Sequence, residues 1–203
     1  MRFKLAVALS LALLATGCNQ TKFVETWTEP GRAGPVELSG KKVAAFMLTH
    51  KKNLREATED LLAQRLTSSG AEGIAGYTLI AEDTGLDSAQ VLSQLRSKGV
   101  DGAVLLRPVE KVKEEDIVPG QLWYTGGYYS TFSGYYGYGS YDPVSQGNTL
   151  FMIEVMVYSV REDRLLWSGL SKTTQPSDLE KFVNGLSDAA AKEMKKSGLL
   201  PKK

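Results

Sequence analysis

The sequence predicts an α/β fold: a single domain built on a mixed sheet, in the order β-α-β-α-β-β-β-α, with helices packed on it. Three observations predict it. Apolar runs of strand length alternate with segments of helical periodicity through the first half, two strand-like runs near the C-terminus are joined by four polar residues, and an amphipathic segment closes the chain. The first half needs crossovers, which make parallel neighbours, whereas the second can pair as a hairpin, so the layers form a two- or three-layer sandwich.

The elements follow in order. Val24-Glu25-Thr26-Trp27 alternates as a short strand does, with a tryptophan expected to dock on the domain. Lys42 to Leu48 holds Val43-Ala44-Ala45-Phe46-Met47-Leu48, the unbroken apolar run of a central strand covered on both faces. Asn53 and Glu56 resemble a capping box, and Leu54, Ala57, Leu61, Leu62 and Leu66 share one helical face up to a stop at Gly70. Ile74 to Ile80 reads as a strand. Asp87-Ser88 opens a short helix with Val91, Leu92 and Leu95 on one side, ended by Gly99. Val100 to Val112 is a strand through Ala103-Val104-Leu105-Leu106. Thr149 to Val160 and Leu165 to Thr174 form the hairpin about Arg161-Glu162-Asp163-Arg164, with Trp167 in the core. Ser177 and Glu180 open a last helix whose Leu179, Phe182, Val183, Leu186, Ala190 and Met194 fall at helical spacing before Gly198.

The N-terminus carries an address. Arg2 and Lys4 precede Leu5 to Ala15, eleven residues without charge that would span about 16 Å as a helix, roughly half a bilayer core. That order is an export signal rather than a permanent span. Ala15-Thr16-Gly17-Cys18 resembles the lipobox of bacterial lipoproteins, which implies a signal peptide at 1–17 and a lipid, palmitate included, on Cys18 as the mature N-terminus. The alternative is an ordinary cleavage site with Cys18 left as a thiol. Cys18 is the one cysteine in the chain, so no internal disulfide forms. Asn19 after it implies the outer membrane, where the domain would face the periplasm. Residues 18–39, with Pro30, Gly31, Gly34 and Pro35, are expected to be a tether of up to about 70 Å ahead of a domain at 40–200. Without residues 1–17 the chain has 22 basic and 23 acidic residues. A balance so near neutral, with its charges interspersed, offers no electrostatic footprint to nucleic acid or to an anionic membrane surface.

Trp27-Thr28-Glu29-Pro30, the buried strand after it, Arg55-Glu56-Ala57-Thr58-Glu59-Asp60 at a helix start, Gly99-Val100-Asp101-Gly102 before a strand, and Leu166-Trp167-Ser168 together resemble small bacterial lipoproteins of a family of unknown function. The resemblance spans most of the chain after the leader, and its motifs are folding signatures. The order of elements is also similar to the N-terminal domain of TolB, the curli secretion channel lipoprotein and the lipoprotein activators of penicillin-binding proteins, an analogy of fold alone.

Groups able to do chemistry are sparse. His50, the single histidine, precedes Lys51 and Lys52 past the first central strand, where an anion would bind in an open α/β sheet or where the ring is a spectator in a solvated loop. Gly70, Gly73 and Gly76 follow a helix and lead into a strand, the reverse of a phosphate-binding turn, and read as a cap and flexible backbone. Glu114-Glu115-Asp116 reads as a solvated end or as calcium ligands. No nucleophile elbow, zinc helix or phosphate loop occurs. The expectation is a protein without enzymatic activity, cofactor or metal.

An insert at 117–148 departs from the rest. It holds Trp123, Tyr124, Tyr128, Tyr129, Phe132, Tyr135, Tyr136, Tyr138 and Tyr141 among seven glycines, with seven of the chain's nine tyrosines. Tyrosine offers a flat apolar face and a polar tip at small entropy cost, and glycines let the backbone adapt, the composition of adaptable binding loops. The bland reading is a low-complexity hairpin packed on the sheet. The expected role is that of an envelope protein whose domain binds another protein or an assembly through this insert; alternatively the same rings stack on peptidoglycan or polysaccharide sugars.

Overall fold

The computed structural model describes residues 21–80, 88–109, 150–174 and 178–201. The central apolar run forms β2 (Lys42–Met47), which alternates between two layers: Val43, Ala45 and Met47 enter one core, and Ala44, Phe46 and Leu48 the other. α1 (Lys52–Ser68) returns the chain to β3 (Glu72–Ala75), parallel to β2. A short helix α2 (Gly76–Leu79) and α3 (Ser88–Ser97) then lead to β4 (Gly102–Val109), parallel to β2 on its other side. One crossover steps outward from β2 and the next steps back past it, so a constant right-handed sense places α1 and α3 on opposite faces. The cores agree, with Leu62 and Ala63 of α1 in one and Val91, Leu92 and Leu95 of α3 in the other.

β5 (Leu150–Ser159) and β6 (Arg164–Thr174) form the expected antiparallel hairpin, with Asp163 at φ +49° in its turn. α4 (Leu179–Lys196) buries Phe182, Val183, Leu186 and Ala190 beside α1. β1 (Lys22–Thr28) pairs antiparallel with β6, giving six strands in the order β1-β6-β5-β4-β2-β3. The fold is therefore the single mixed-sheet α/β domain that the sequence predicts.

Several boundaries differ from expectation, each for a physical reason. Part of the expected tether is in the fold: residues 22–28 are the edge strand, and Val36 and Leu38 pack on the core. Trp27 docks as expected, against the α3-side core. Asn53 does not cap α1, which begins a residue earlier behind Lys51 with no side-chain cap. The cap of α4 is Asp178, whose carboxylate accepts from the Lys181 N–H at 2.9 Å, so Ser177 is not in that role. Ile74 to Ile80 is not one strand, because β3 stops at Ala75 and the chain coils into α2. Gly73 is fixed by packing rather than flexible: a Cβ there would lie 2.0 Å from the Ala63 carbonyl oxygen of α1, so the crossover closes this tightly only over a glycine.

Candidate functional site

Four chain segments meet at the carboxyl end of the parallel strands. The register sets Val109, Met152, Lys172 and Lys22 in one row across β4, β5, β6 and β1. The insert's exit and its return at Leu150 therefore share one end of the sheet with the end of β6 and the beginning of β1. At about 4.8 Å per strand, the row from Lys22 to Val109 spans about 14 Å. The turn after β2 lies at this end too, since Met47 pairs with Leu106 and the Leu48 N–H donates to the Leu106 carbonyl at 2.8 Å.

That turn presents His50, Lys51 and Lys52, all exposed, while Thr49 is buried and its hydroxyl accepts from the Lys51 N–H at 3.3 Å. The structure thus leaves His50 and Lys51 in an exposed turn at the strand ends, with Lys52 opening α1. Beneath it sits Glu59 of α1, 2% exposed. One carboxylate oxygen accepts from the Met47 N–H at 3.0 Å and the other from the Tyr77 N–H at 2.7 Å, so this side chain ties the end of β2 to α2. Tyr77 in turn donates from its hydroxyl to Asp60 at 2.9 Å. Burial pushes the Glu59 carboxyl up to about 7, against the two backbone donors and Arg55, which pull it down.

A pH dependence of stability follows. The folded state binds the Glu59 proton more tightly than the unfolded state, whose carboxyl keeps its ordinary 4.5. The contribution is complete below pH 4.5 and is lost as pH rises through 7, to the extent of about 3 kcal/mol. Urea unfolding of the protein and of Glu59→Gln at a series of pH values isolates this part. The stability difference between the two should narrow by about that amount between pH 4.5 and 8. A difference that stays constant with pH would show that Glu59 does not titrate there.

A second carboxylate is buried higher on the sheet. Glu154 of β5, 2% exposed, pairs across the strands with Arg107 of β4, at 2.6 Å between Nε and Oε2. Both carboxylates escape a reading of the sequence that treats charge as surface. A signal was present: Glu59 falls on the helical face of Leu62, Ala63 and Leu66, and Glu154 shares the strand phase of Met152, Met156 and Tyr158.

The opposite end of the sheet, where β2 and β4 start and β5 finishes, holds a cavity of about 200 Å³. Val36, Leu38, Leu66, Met194 and Leu199 line it, and Asp101 and Arg161 form an ion pair at its rim, 2.5 Å apart. Among the described residues no group of three His, Cys, Asp or Glu is placed to hold a metal ion, and no helix is long and apolar enough to cross a membrane.

Cys18, the nine aromatic residues named above from Trp123 to Tyr141, and Glu114-Glu115-Asp116 lie outside the described residues. The residues that flank the insert, Val109 and Leu150, and the first described strand converge at one end of the sheet.

No protein-family model matches the chain, and no curated protein does, so the family resemblance drawn from short motifs has no matching family model behind it. Among solved structures, the chain is similar to a PelC dodecamer from Paraburkholderia phytofirmans in two crystal forms. A point variant aligns at TM-score 0.44 and 15% identity over 79% of this chain and 92% of that one. The other form aligns at 0.44 and 15% over 85% and 96%. Identity at this level leaves function to be argued from the residues.

Proposed function

We propose that the protein is a lipid-anchored bacterial envelope protein without enzymatic activity, which binds another envelope protein or an assembly through its Tyr/Gly-rich insert. One observation carries the reading. β4 and β5 are adjacent antiparallel strands in register as far as Val109 opposite Met152. Such a pair closes with a loop of about two to five residues. Residues 110–149 stand there instead, so their length and tyrosine content answer a need other than connecting two strands.

The test is in-cell crosslinking and pull-down of the native protein beside a variant in which residues 122–144 are replaced by a short Gly/Ser linker. Circular dichroism and an unchanged thermal transition establish that the variant folds. Specific partners should disappear with the insert. An unchanged partner set would remove the insert as the contact, and binding to purified sacculi that is lost with the tyrosines would assign it to glycan instead.

A further inference from the structure

We propose that the domain stands end-on at the membrane, its Lys22–Val109 end resting on the phospholipid headgroups and its cavity end pointing away. The inference rests on the reading of Cys18 as the lipid anchor and goes beyond it by fixing which surface the bilayer meets.

The geometry leaves little freedom. β1 begins at Lys22, paired with Lys172 of β6. From Cys18 to Lys22 the chain takes four steps, at most about 14 Å when fully extended. An anchor expected to hang on a tether of some twenty residues is thus joined almost directly to a sheet strand. β5, ten residues long, spans about 33 Å. To bring the cavity end to the headgroups, the link would have to run the length of the sheet, more than twice its extended reach.

The surface so placed presents charged side chains of both signs to the headgroups, with the lysines of two segments among them. Lys22, Lys51 and Lys52 are exposed at this end. Lys51 and Lys52 stand at the N-terminus of α1, which has no acidic residue in its first turn and no side-chain cap, so the helix dipole adds to their positive field. Asp178 and Glu180 begin α4 at the same end, so the charge is mixed and the short link is the stronger restraint. The outcome is a division of labour along the sheet: the insert departs and returns beside the bilayer, while the cavity and the Asp101–Arg161 pair face the aqueous side.

The experiment uses the full chain, purified with its lipid and reconstituted into phosphatidylethanolamine/phosphatidylglycerol vesicles carrying a nickel-chelating headgroup lipid. An acylated Cys18 is closed to labelling, so a single spin label goes on K51C at one end or E162C at the other, both at exposed positions. Relaxation enhancement by headgroup nickel should be at least about five-fold greater at 51 than at 162, since paramagnetic relaxation falls steeply over the length of the sheet. K22C and E72C form a second pair, one at each end, should either first variant fold poorly. Equal relaxation at the two ends, or more at 162, would overturn the orientation while leaving the anchor intact. The mass of the N-terminal peptide distinguishes the other failure: an unacylated Cys18 would overturn both the anchor and the placement built on it.

Discussion

Truncating Trp167 to alanine should remove about 4 kcal/mol of stability, the largest loss expected from any single side chain in the core. The ring is fully buried in β6, part of the core shared with Phe182 and Val183 of α4. Phe23 of β1 packs on it edge to face, with centroids 5.4 Å apart and planes at 68°. Gly169, two residues on, clears room for both rings, since a Cβ there would lie 2.5 Å from Phe23 and 2.6 Å from Trp167. Alanine would therefore open a void between the edge strand and α4 that neither can fill by turning a side chain. Against a typical domain stability of about 5–15 kcal/mol the loss is large, and it should appear as a lower urea midpoint at constant slope. Trp167→Phe should recover most of it, because the indole Nε1 has no hydrogen-bond partner among the described residues and a smaller ring gives up none there. Hydrogen exchange should also speed up in Lys22–Thr28, whose inner face rests on that ring. A loss under about 1 kcal/mol would mean that α4 collapses onto the gap.

How much of this was legible in the sequence depends on the physical scale of each feature. Burial is cooperative over many residues, so β2, the hairpin and α4 are written as apolar periodicity and are found where it predicts them. The stops at Gly70, Gly99 and Gly198 are found too, with φ of +97°, +73° and +81°, because a left-handed backbone at a helix end selects glycine. What misleads is any feature decided by one partner distant in sequence. Gly73 reads as loose backbone until α1 is laid over it. The segment 74–80 looks like a strand by composition, yet Glu59 takes the Tyr77 N–H and the chain coils instead. Residues 22–28 fall in the stretch read as tether, where the alternation of Val24 to Trp27 signals a short strand but not its partner, since the β6 edge that captures them lies more than 130 residues away. Of the candidate site, the sequence discloses the composition of the insert and the lipid signal. Only the register shows that the residues flanking the insert and the beginning of β1 meet at the same end of the sheet.

The second large effect concerns the ion pair on β4 and β5. Glu154→Ala should destabilise the domain by about 3 kcal/mol, because it takes from the Arg107 guanidinium, whose side chain is 14% exposed, the buried carboxylate opposite it. The pair is an expensive way to fill the space. Two charges are withdrawn from water, and their attraction at 2.6 Å offsets a penalty that apolar residues of similar volume would never incur. The double change Arg107→Met with Glu154→Leu should therefore restore stability to within about 1 kcal/mol of the native protein or exceed it. This pattern separates two roles. The pair sits two residues below the insert's exit at Val109 and four beyond its return at Leu150, where a one-residue slip between β4 and β5 would move both ends of the insert relative to each other. If the double variant is stable and keeps its crosslinked partners, the charges are only one solution to filling the sheet. If it is stable and loses them, the pair specifies the register that aims the insert, and its desolvation cost is the cost of that alignment. Single and double variants differing by less than about 1 kcal/mol would show instead that Arg107 finds another acceptor, and that the pair neither stabilises nor specifies.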